Sequence, residues 1–238
     1  MFSLKKPSVL VVAAGLTLTL AACGSNDESV GSGSPTTGAP SSAKASAAPS
    51  AAASPVAAID KLTGKQTAVT LDPAFLAALK MLKLTPDRVG DATLDAKTGK
   101  IAFPITGGEV TYFKPDSGVT PFVQGEIIHL ESGLSLTGGG KVVELTDLVV
   151  DPDESMVTAK VTVDGETAVP SAPVFSLDGS TVKPLQANAS AGTAVLGGAG
   201  VSLTSEAAEL LNMTFGTEAL KGSIKVGIAE ITLALPKS

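Results

Sequence analysis

An all-β fold, one β-sandwich or flattened barrel of about 10 strands with two short helices, is what this sequence predicts. Apolar residues alternate with polar ones at period two over several short runs. Turn-forming pairs punctuate those runs. Only two stretches carry helix caps.

The elements follow in chain order. Asp72-Pro73 supplies an N-cap and a proline at the first helical position. Phe75, Leu76, Leu79 and Leu82 then form an apolar stripe, and Pro86 lies beyond its end. Ile101, Phe103 and Ile105 read as the inward face of a strand. Residues 109–113 and 122–131 read as a hairpin turning near Ser117-Gly118, which sets Tyr112 opposite Val123. Residues 141–151 are more uniformly apolar, with Val142, Val143, Leu145, Leu148, Val149 and Val150, which suits a strand covered on both faces. Val157, Ala159, Val161 and Val163 alternate with Thr158, Lys160, Thr162 and Asp164, the pattern of a half-buried strand. The second helix starts at Thr204 or Ser205 and runs towards Asn212. Near the end, Ile224, Val226 and Ile228 share one parity while Ile231, Leu233 and Leu235 share the other, so a β-bulge is expected around Ala229-Glu230. Val69 to Met81 and Val201 to Met213 share four identities over 13 aligned positions, which duplication and convergent strand-cap-helix chemistry explain equally well.

Ahead of the fold lies an export signal. Lys5 and Lys6 precede an uncharged apolar run from Val9 to Leu20, shorter than the about 20 residues of a membrane-spanning helix. Leu20-Ala21-Ala22-Cys23 has the lipobox pattern, so residues 1–22 are expected to be cleaved and Cys23 to carry a diacylglyceryl group. Residues 23–58 then read as the lipidated cysteine and a disordered Ser/Ala/Pro-rich tether, and residues 59–238 as the folded domain. About 35 tether residues reach roughly 30–35 Å. The expected address is the outer face of the cell membrane, held there by lipid.

Composition narrows the chemistry. Cys23 is the only cysteine, so no disulfide or thiolate metal site is expected in the domain. Net charge is −6, and −8 once Lys5 and Lys6 leave with the leader, which argues against nucleic acid as a partner. No G-x-S-x-G elbow occurs in the domain. Gly138-Gly139-Gly140-Lys141 lacks the hydroxyl residue of a phosphate loop, and Asp151-Pro152-Asp153 reads as a turn before it reads as a calcium site. No catalytic residues are expected. A hydrolase would need two scattered carboxylates brought together across a cleft.

One histidine and one tyrosine remain as candidate ligand-binding residues, His129 and Tyr112. His129 shares the parity of Val123 and Ile127. It reads either as a partly buried side chain beside Glu131, or as a lone base or axial ligand for haem iron. From Tyr112 onward the order of features resembles the HtaA-type haemin-binding domain of actinobacterial surface proteins. The resemblance rests on His129-Leu130-Glu131-Ser132-Gly133-Leu134-Ser135-Leu136 and on Val201-Ser202-Leu203-Thr204-Ser205-Glu206-Ala207-Ala208 with Phe215-Gly216-Thr217. It implies a β-sandwich with small edge helices, and haem as a ligand. It departs where it matters: the family's haem tyrosine lies on an early helix, and residues 73–83 contain none. In the expected hairpin, His129 lies about six residues beyond the partner of Tyr112, or roughly 20 Å, too far to share one iron.

The expected function is therefore a non-catalytic surface lipoprotein whose β-domain binds a ligand, haem being the one implied, or an envelope component. The alternative is a structural or adhesive envelope protein without a small-molecule site.

Overall fold

A computed structural model describes residues 53–235. The leader, Cys23 and the tether up to residue 52 lie outside the described residues. Strand β1 (Ala57–Ile59) begins two residues inside the stretch read as tether and pairs with β6 (Gly107–Tyr112).

The strands join into one antiparallel sheet that curls into a half-barrel, in keeping with the expected all-β sandwich or flattened barrel. From β1 and β6 it continues through β7 (Val123–Gly138), β8 (Lys141–Asp151), β9 (Met156–Val163) and β10 (Glu166–Asp178). It goes on through β12 (Thr193–Leu203), β13 (Lys225–Ala234), β2 (Lys65–Leu71), β5 (Lys100–Pro104) and β4 (Thr93–Asp95). Two edge strands lie off this path: β3 (Thr85–Gly90) on β7 and β11 (Gln186–Asn188) on β12. The expected alternation is plain in β9, where Val157, Ala159 and Val161 are buried.

Two strands differ from their sequence reading. The apolar run of β8 is not covered on both faces. Val143 and Leu145 point inward, the register slips at Asp147 (φ 52°), and Leu148 and Val150 then point inward on the other parity. A bulge makes an alternating strand look uniformly apolar. In β13 the slip falls at Val226, and a second one on β12 faces Ala229 and Glu230, so Ile228 turns out to solvent at 45% exposure.

Both helices start at their expected caps. Helix α1 (Pro73–Met81) opens with Asp72 accepting from Ala74 N at 2.8 Å, and buries Phe75 and Leu79. Helix α2 (Ser205–Phe215) opens with the Thr204 hydroxyl accepting from Ala207 N at 3.1 Å, and ends on left-handed Gly216. Among the described residues no helix is long and apolar enough to cross a membrane.

Candidate functional site

His129 stands on β7 with Val123 and Ile127, and all three are buried, as their shared parity predicts. Just beyond it, Glu131 adopts φ 56° and the pairing with β8 slips between His129 and Gly133. Asp147 of β8 holds that slip by accepting from Glu131 N at 3.0 Å. Glu131 itself is exposed, so it is not the partner of the imidazole.

That partner is a backbone carbonyl. The chain leaves β5 at Pro104 and enters β6 at Gly107, crossing from the side of β2 to the side of β7. At this corner His129 Nδ1 lies 2.8 Å from Pro104 O. A carbonyl only accepts, so Nδ1 carries the proton and Nε2 keeps a bare lone pair. Nε2 is buried and has no hydrogen-bond partner. Burial pushes the pKa of the ring below its ordinary 6.5, outweighing the backbone carbonyls that act the other way. The Phe103 ring lies tilted against it, with centroids 6.2 Å apart.

The ring lines an internal cavity of about 70 Å³ whose walls, apart from His129 and Thr67, are apolar side chains such as Leu148, Val201 and Ile231. Thr67 Oγ1 is likewise buried without a partner. Thr67 and His129, each with a buried polar atom that lacks a partner, thus line one otherwise apolar cavity. The sequence reading did not name Thr67, although a polar residue on the inward parity of Val69 and Leu71 signals it. Pro104 left no such signal, because its contact depends on the corner.

Tyr112 lies elsewhere. It pairs with Val123 in the expected register. Its hydroxyl accepts from Leu185 N at 3.2 Å, and its ring meets Phe122 edge-on. It lines a second cavity of about 80 Å³, which shares Ile231 with the first. The structure does not bring Tyr112 and His129 together.

Haem can be tested against this geometry. The donor chemistry fits one axial ligand: a neutral imidazole, oriented through Nδ1–H by a carbonyl, with Nε2 unengaged. The space does not fit, since pockets for ligands of that size run to about 300–1,000 Å³ and the cavity holds about 70 Å³. A cavity of that size does not accommodate a porphyrin.

The remaining motifs are structural. Gly139 and Gly140, at φ 57° and 78°, turn β7 into β8. In the Asp151-Pro152-Asp153 turn, Asp151 accepts from Glu154 N at 3.0 Å, and Asp153 accepts from Gly125 N at 2.9 Å. Among the described residues no group of three or more His, Cys, Asp or Glu is placed to hold a metal ion.

Comparison with solved structures places this architecture. The C-terminal domain of HtaA from Corynebacterium glutamicum superposes with a TM-score of 0.50 at 15% identity, over 74% of this chain and 99% of that one. This chain resembles HtaA in fold. A domain-swapped dimer of a histidine-to-alanine variant of that HtaA domain matches with a TM-score of 0.42 at 14% identity, over 68% of this chain and 91% of that one. No protein-family model and no curated protein matches. The likeness to HtaA, at this identity, is one of fold.

Proposed function

We propose that this chain is a non-catalytic surface lipoprotein, anchored through Cys23, whose β-domain takes an apolar ligand between the walls of its curled sheet. One observation carries the reading: His129, whose buried Nε2 has no hydrogen-bond partner, lines an otherwise apolar cavity. The imidazole is poor equipment for acid–base catalysis, because burial lowers its pKa and no nucleophilic or acidic side chain is bonded to Nε2. The sequence resemblance names haem as the first ligand to try. Because the cavity is too small for it, haem binding on this reading requires the walls around His129 to part.

Titration of the full chain with haemin, followed at the Soret band, tests this directly. A shifted band in the wild type that is lost in His129→Ala supports haem held through His129. An equal shift in both proteins overturns the role of His129. No shift removes haem, and the reading then passes to a structural or adhesive envelope protein, which the small cavity and the carbonyl partner of His129 favour.

A further inference from the structure

The outer face of β5, β2, β13 and β12 carries a groove of about 570 Å³, larger and more polar than the cavity at His129. One wall is the segment that links β10 to β11. It crosses over β12, where Thr181 Oγ1 donates to Gly198 O at 2.6 Å and Lys183 N donates to Gly197 O at 2.8 Å. Gly198 has φ 101°, and a Cβ there would sit 2.5 Å from Thr181 O, so the crossing requires glycine. Gly197 and Gly200 leave the floor open, and Thr70, Lys100 and Glu230 stand on the opposite side.

The charges in this groove run against the rest of the molecule. Lys100, Lys183 and Lys225 line it against Asp178 and Glu230, a local positive excess on a chain of net charge −6. Lys100 is paired with Glu230 at 3.4 Å, and Lys225 reaches Asp72 only at 4.0 Å. Lys183 makes no ion pair among the described residues. Asp178 is engaged with its own turn, accepting from Ser180 N at 2.9 Å and Ser180 Oγ at 2.6 Å, which holds its carboxyl below the ordinary range. The hydroxyls of Thr70 and Ser202 and the amide of Gln186 complete its polar lining, beside the apolar Pro184, Val195, Ile228 and Ala229. Ammonium groups are compact point charges suited to phosphate. Hydroxyl and amide groups suit a hydroxylated carrier, and the volume falls in the about 300–1,000 Å³ range of small-molecule sites.

We propose that this groove binds a phosphate-bearing polyol, the chemistry that an anionic envelope polymer presents, with Lys183 and Lys225 taking the phosphate and Thr70, Ser202 and Gln186 the hydroxyls. The site is independent of His129, and its failure leaves the reading of the internal cavity untouched.

Glycerol 1-phosphate is the probe, titrated into the full chain by calorimetry and by amide shifts at Gly200 and Ser202. It is expected to bind at least about tenfold more tightly than glycerol, and to weaken in about 0.5 M salt, where exposed charges are screened. Lys183→Gln is expected to weaken it by about fivefold or more, as loss of a charge-assisted contact does. Lys141→Gln removes a lysine paired with Asp164 outside the groove and is expected to leave binding unchanged. Gly197→Leu fills the floor, where a Cβ makes only ordinary contact with Glu230, and is expected to abolish binding while the melting temperature holds. No binding, equal loss in Lys183→Gln and Lys141→Gln, or glucuronate binding as tightly as glycerol 1-phosphate would each overturn the proposal.

Discussion

His129 is a buried neutral ring with one nitrogen bonded and the other bare. A buried unsatisfied polar atom costs about 1–3 kcal/mol, and protonation would add a charge with no partner for it. The consequence is a pH dependence of fixed sign. The folded pKa lies below 6.5, so the unfolded chain takes the proton first as pH falls. The contribution is full above the unfolded value and is lost as pH drops below it. Between about pH 7.5 and pH 5.5 the melting temperature should fall, and His129→Gln should flatten that slope. No other histidine shares this window, since the chain has one. A slope that survives the substitution would contradict the assignment. The inward parity of His129 was legible in the sequence, because Val123 and Ile127 fix it. Its partner was not, because Pro104 lies 25 residues away around a corner that no local pattern announces.

At the scale of elements, the helix caps were legible because capping chemistry is local, and the two caps carry unequal weight. Asp72 makes one capping bond at an exposed site. Thr204 is buried, and its hydroxyl also donates to Pro173 O at 2.7 Å. Losing a cap costs about 1 kcal/mol, and loss of the part-buried bond to Pro173 O adds to it. Thr204→Ala should therefore lower the denaturation midpoint more than Asp72→Ala, and the reverse order would contradict this account. The slip after His129 has a sharper test. A Cβ at Gly133 would sit 2.0 Å from Leu145 O, so Gly133→Ala should cost several times a cap, about 3 kcal/mol or more, in denaturant unfolding. Strand β3 escaped the sequence reading because Thr85-Pro86-Asp87-Arg88 looks like a loop. Proline and charge are nonetheless what an exposed edge strand tolerates. The double slip of β7 and β8 was likewise invisible as such, because Asp147 sits inside an apolar run and breaks its parity silently.

For the whole molecule, turn spacing and period-two runs made the all-β class readable. They left the curl of a single sheet unreadable, since strand order depends on pairings between distant segments. The corner at Pro104–Gly107 and the crossing over Gly198 are products of that curl, and both candidate sites sit on them. Anchorage belongs to this scale too. Replacing Cys23 with alanine should release the protein from membranes and abolish fatty-acid labelling, and a variant still retained there would contradict lipid attachment. The claim on which ligand capture rests is that the only imidazole keeps its proton on Nδ1 and leaves Nε2 bare. Selective ¹⁵N-histidine labelling reads this from a single ring in the long-range proton–nitrogen spectrum of the full chain at neutral pH. A protonated Nδ1 with an unprotonated Nε2 is the result predicted, and the opposite tautomer or a doubly protonated ring would contradict it.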